Sequence, residues 1–179
     1  MTRPHRMTMT QTFSTSVLRT LLAMILVASF GQATLARADS EENAPPDVKY
    51  RQTLMSNVGS NMGAISDILK NGLDLPGHIA VHASNMAESA QLIGPAFKKN
   101  VPTEVTDAKA EIWQDWAKFE TAIADYEKTA RDLASAAASN DMKTMLPLVK
   151  ALGKSCGGCH KSFRKPKEES FHRKSSDHK

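Results

Sequence analysis

Apolar residues recur along this chain at intervals of three and four, in four separate stretches. From about Pro46 to Asn71 they fall at Val48, Met55, Val58, Met62, Ile65 and Leu69, the spacing of one helix face. From about Pro76 to Phe97 they fall at Ile79, Ala83, Met86, Ala90, Ile93 and Phe97, and Pro76 suits a helix's first turn, where its missing N–H costs nothing. From about Thr106 to Ser139 the period holds longest, through Ile112, Trp116, Phe119, Ile123, Tyr126, Ala130, Leu133 and Ala137. From about Asp141 to Arg164 the series is Met142, Met145, Val149, Leu152, Cys156, Cys159 and Phe163, with Pro147 expected to kink this helix or to lie near its start. Alternation of the β type is missing, so no strand is predicted. Each helix has one apolar stripe that must be buried against another element. The connection NGLDL and the turn around Asn140 are short, which favours antiparallel neighbours; KKNVPTEV is longer. The prediction is an all-α fold, an antiparallel four-helix bundle.

The first 38 residues stand apart from that pattern. Arg3, Arg6 and Arg19 precede the ten-residue run LLAMILVASF (21–30), and the small-residue site Ala36-Arg37-Ala38 follows. This is the layout of a secretory signal peptide with cleavage before Asp39. Ten residues fall well short of the roughly 20 that span a bilayer, so no membrane span is expected once the leader is removed. The leader carries four of the 23 basic residues and none of the 19 acidic ones, which leaves 19 of each sign in the mature chain. The basic character of the whole chain therefore belongs to the leader, and nucleic acid is not an expected partner. Residues 39–166 form the expected domain, with a composition typical of a folded globule, 41% hydrophobic and 23% charged over the whole chain. Residues 167–179 are polar and lack a stripe, and are expected to fray; His172 and His178 read there as solvated. Export implies a periplasmic location, where an ordinary cysteine pair can oxidise.

The chain has two cysteines, and both lie in SCGGCHKSFRK (155–165). A thioredoxin-like redox pair needs a βαβ context and a helix N-terminus, whereas this pair lies near the end of a helix in an all-helical chain. A zinc site needs further ligands, and no other cysteine exists. A disulfide across one turn of a continuous helix would be strained. What remains is C-x-x-C-H, covalent haem attachment, with one haem c as cofactor. Cysteines three apart share a helix face and can form two thioethers, and the adjacent His160 points its imidazole at the iron. Gly157 and Gly158 leave room beside the macrocycle. Both cysteines continue the core stripe, so the group they hold faces the bundle.

Placed near the C-terminus, on the last helix of a four-helix bundle, the motif resembles the class II cytochromes c: cytochrome c′ and its low-spin relatives. The resemblance covers nearly all of residues 47–165, through VKYRQTLM (48–55), EIWQDWAKF (111–119) and LGKSCGGCHKSFRK (152–165). It implies thioethers at Cys156 and Cys159 and proximal ligation by His160. It also implies that Arg51 interacts with a haem propionate and that Arg164 is a basic residue near the proximal histidine. Pairing into a homodimer through the first two helices is a further implication.

The two branches of the family differ at the position of Met55. In cytochrome c′ a bulky apolar residue covers the distal face without binding iron; in the low-spin relatives a methionine ligates it. Some five-coordinate members also carry an unbound methionine there, so Met55 is compatible with both. The Gly59 and Gly63 that follow resemble the low-spin branch, and Arg51 the other. The leading expectation is a periplasmic monohaem electron carrier with His160 and Met55 on the iron, its partners being redox proteins. The alternative is a gas-binding protein that takes NO or CO at an open distal site. An enzyme is not expected: away from the haem there is no paired acid and base, no activated nucleophile and no phosphate-binding loop. His78 and His82 lie one turn apart, but a third metal ligand is not evident.

Overall fold

The computed structural model describes residues 43–139 and 141–171. The expected leader and the end of the tail lie outside them. Helix α1 (Pro46–Asn71) starts with Pro46 in its first turn, and ends at Gly72, whose φ of 59° and ψ of 39° are left-handed. That conformation turns the Gly72 and Leu73 N–H groups back onto the Ile68 carbonyl, and a residue with a Cβ adopts it only at a cost. Helix α2 (His78–Phe97) begins two residues later than the sequence predicts, because Pro76 and Gly77 form a turn in which Gly77 has φ 80°.

The long third helix expected from Thr106 is divided. Thr106–Lys109 is not helical, α3 (Glu111–Gln114) is one short turn, and the chain breaks at Asp115 (φ −131°, ψ 65°) before α4 (Trp116–Ala137). Two physical causes act here. The Asp115 carboxylate accepts a hydrogen bond from the Lys118 N–H and so starts a new helix. Upstream, the backbone is engaged laterally: Lys109 N–H donates to Phe163 O, and Lys165 N–H to Asp107 O. Helix α5 (Met142–Phe163) is capped by Asp141, which accepts from Lys143 N–H, and it continues through Pro147. Met142, expected in the core, is instead exposed at the first residue of α5, and the buried face begins at Met145.

Successive helices pack side by side, α1 on α2, α2 on α4 and α4 on α5, which makes the predicted four-helix bundle. Ile65 of α1, Met86 of α2, Leu133 of α4 and Leu152 of α5 are fully buried at its centre. At one end, Phe119 of α4 meets Phe97 of α2 at 5.5 Å and Phe163 of α5 at 5.1 Å between ring centroids. These edge-on contacts tie the C-terminal end of α5 to α4, and α4 in turn to α2. The backbones of α1 and α5, by contrast, scarcely approach one another. Between them Met62 Cε lies 3.9 Å from where a Cβ would stand on Gly153.

The tail departs from expectation. Lys167–Glu169 form a 3-10 turn, and Ser170 and Phe171 are buried. The ordered domain therefore extends past Pro166 to at least Phe171.

Candidate functional site

Leu152, fully buried, fixes which face of α5 turns inward, and one turn later the same face carries Cys156 and then Cys159. The two cysteines are not joined in a disulfide; both are half-buried and packed against the core cluster. Burial raises both thiol pKa values; Cys159 is pushed up to about 11, with the neighbouring Cys156 adding to the effect. Behind them the α4–α5 seam is polar but satisfied. Tyr126, beside Cys156, donates from its hydroxyl to Met86 O at 3.0 Å, and burial pushes its phenol well above the ordinary range. Thr129 and Ser155 share a hydrogen bond of 3.0 Å.

His160 follows on the exposed side of α5. Partial desolvation, and then the nearby charge of Arg164, hold its imidazole below the usual pKa. Arg164 caps the helix with its N–H on His160 O at 3.0 Å, and its guanidinium lies 3.3 Å from the Asp107 carboxylate. Asp107 is a residue the sequence pattern does not single out. It also accepts from Ser170 Oγ at 2.8 Å and from Phe171 N–H at 3.0 Å.

Met55 is half-buried on α1, in the same shell of partly buried apolar groups around the core as Val58, Met62, Cys156 and Cys159. One turn before it, Arg51 is 3% exposed. Its Nε donates to Ala96 O at 2.7 Å and its Nη2 to Lys99 O. The guanidinium is sandwiched by Phe97 and Trp113, at 5.0 and 5.6 Å from their ring centroids. Burial lowers its pKa, with Asp47 acting in the opposite sense. Two of the donors that the resemblance assigns to a propionate are thus engaged on the end of α2.

The donor set fits haem c better than a bare metal ion. Two thiols one turn apart and an adjacent imidazole match the thioether-and-ligand pattern, whereas no three His, Cys, Asp or Glu among the described residues converge on one point. A Cβ added to Gly157 or Gly158 would meet nothing within 4 Å, so the backbone between the cysteines is bare on its outer side. His82 does not join the site: its Nδ1 is 2.9 Å from Asn61 Oδ1, in a polar groove of about 480 Å³ between α1 and α2.

Known proteins agree with this geometry. The sequence model of the family described as Cytochrome C' matches residues 47–164. The chain belongs to the cytochrome c′ family. Cytochrome c′ of Rhodospirillum rubrum is 32% identical over 142 residues, covering 79% of this chain and 97% of that protein. Cytochrome c-556 of Rhodopseudomonas palustris is 31% identical over 158 residues, covering 83% and 97%. Among solved structures, the nitric oxide complex of a variant cytochrome c prime from Alcaligenes xylosoxidans superimposes with a TM-score of 0.61 at 26% identity, over 67% of this chain and 94% of that one. The cofactor of a cytochrome c′ is covalent haem c, which the two cysteines of this chain are suited to hold.

Proposed function

We propose that the protein is an exported monohaem electron carrier, with thioethers at Cys156 and Cys159, His160 as the proximal ligand and Met55 as the distal one. The observation that carries this reading is the half-buried Met55 on α1, which packs against the same core as both cysteines, while the α1 and α5 backbones have little direct contact. When bound, haem c supplies a single-electron ferric–ferrous couple. The work of the chain is positional. The two cysteines would hold haem c on α5 through their sulfurs. Burial and the Arg164 charge lower the His160 pKa, which favours the neutral imidazole that could ligate iron. The Met55 thioether, a soft and uncharged donor, favours the reduced state. Val58 and Met62 extend the apolar shell that limits water.

The leader argues for export to a periplasm-like compartment, and no helix among the described residues is long and apolar enough to cross a membrane. The reading involves no substrate turnover. Pairing into a homodimer through α1 and α2 rests on the family resemblance.

A second reading, a five-coordinate protein that binds NO or CO, draws support from the nitric oxide complex of the Alcaligenes relative. EPR and visible absorption of the ferric and ferrous holoprotein separate the two. A low-spin wild type that becomes high-spin in Met55→Ala is the expected result. A wild type that is already high-spin removes Met55 from the iron and transfers the assignment to gas binding.

A further inference from the structure

Helix α5 carries Lys143, Lys150, Lys154 and Lys161 and not one acidic residue. Their spacings of seven, four and seven put all four within about 40° of one line along the helix, at 100° per residue. All four are exposed. The line spans about 27 Å at 1.5 Å per residue. It lies opposite the face that buries Met145, Leu152 and Phe163. Among the described residues, none of the four lysines meets a carboxylate, although Lys99, Lys109, Lys128, Arg131 and Arg164 all do.

Helix stability does not account for the stripe. Lys150 and Lys154 are one turn apart and repel, and Lys143 lies at the N-terminus, where the helix dipole disfavours a cation. Helix α4 shows the stabilising arrangement, with Glu127–Arg131 and Lys128–Asp132 paired one turn apart. In a mature chain with equal numbers of acidic and basic residues, four unpaired lysines in one line form a segregated positive surface. In sequence two of them bracket the haem motif, Lys154 two residues before Cys156 and Lys161 directly after His160, while the line itself lies on the outer face of α5, opposite the face that carries the two cysteines. Gly157 and Gly158 flank the line between them with bare backbone.

We infer that the lysine stripe of α5 is the docking surface for an acidic face of a redox partner protein, which it holds against the haem-bearing helix. The inference rests on the electron-carrier reading. Charge complementarity of this kind mainly raises the association rate and orients the encounter, and salt weakens it. A lipid surface fits less well, because the large apolar residues exposed on α5, Met142 and Leu146, are confined to its first two turns.

The test uses the ferrous holoprotein, the variant Lys143→Gln/Lys150→Gln/Lys154→Gln/Lys161→Gln, and a control with Lys49→Gln/Lys70→Gln/Lys118→Gln. Oxidation is followed by stopped flow with ferricyanide, with hexaammineruthenium(III) and with plastocyanin, an acidic copper protein, across a range of ionic strength. At low salt the stripe variant reacts about ten-fold more slowly than wild type with ferricyanide and plastocyanin. It loses most of the salt dependence and is not slowed with the ruthenium cation, while the control matches wild type. Equal rates in stripe variant and control overturn the inference. So does stripe-dependent co-sedimentation with phosphatidylglycerol vesicles without any change in rate, which assigns the surface to lipid. A wild type that exchanges electrons slowly with every probe at every salt concentration instead overturns the carrier reading, and the docking role with it.

Discussion

An arginine that is 3% exposed must find partners for its charge, and Arg51 finds them 45 and 48 residues away, on the carbonyls of Ala96 and Lys99. These lie at and just beyond the end of α2, where carbonyls lack intrahelical partners. The side chain therefore ties the first turns of α1 to the last turn of α2 and sets the register of α1, on which Met55 sits one turn further along. Arg51→Ala is expected to cost about 2–3 kcal/mol in urea denaturation of the holoprotein, through two abandoned carbonyls and the lost stacking on Phe97 and Trp113. Arg51→Lys recovers only part of that, because an ammonium lacks the planar fork. A variant with unchanged stability and a shifted haem potential would identify the residue as a propionate contact instead. The resemblance assigns Arg51 to a haem propionate, whereas the partners it has here are carbonyls of Ala96 and Lys99; these belong to chain brought near by the α1–α2 turn and leave no mark in the local pattern.

The connection before α3 and the segment after α5 form one unit, and Asp107 joins them. Its carboxylate, 11% exposed, receives Arg164, Ser170 and the Phe171 N–H. Ala108 and Arg164 form an isolated bridge beside it. Asp107→Ala leaves these donors without their acceptor and is expected to cost about 1–3 kcal/mol. Hydrogen exchange at Phe171 and at the end of α5 should accelerate while the centre of α4 stays protected. Unchanged protection at Phe171 would show that burial alone holds the tail. Periodicity read α1 to its ends and α5 to within a residue of each end, because each has one unbroken stripe and a local stop or start signal. It overran at Thr106–Asp115, where the apolar spacing continues but the backbone is used by Asp115's cap and by the pairing with the end of α5. The tail misled for a related reason: KEESF has no stripe, and Ser170 and Phe171 are ordered by a carboxylate some sixty residues earlier.

On the scale of the molecule, a chain of packed neighbours from α1 through α2 and α4 to α5 closes weakly between its first and last members. With Met55 and His160 both on the iron, as proposed, a covalently held haem would supply apolar contact that these two helices do not provide for each other. Cys156→Ala/Cys159→Ala is therefore expected to yield a protein whose haem is extracted by acidified organic solvent. Its melting temperature should be lower, with amide exchange increased chiefly along α1. Retention of haem after extraction would refute thioether attachment. The sequence by itself determined the all-helical class, the four stripes, the haem motif and the family, since each rests on spacing within a single element or on a contiguous string of residues. Tertiary structure alone decided the partners of Arg51, the place of Asp107, the order of the tail and the weak contact between α1 and α5. Those are contacts between segments tens of residues apart, and local periodicity has no term for what another helix brings to the same point in space.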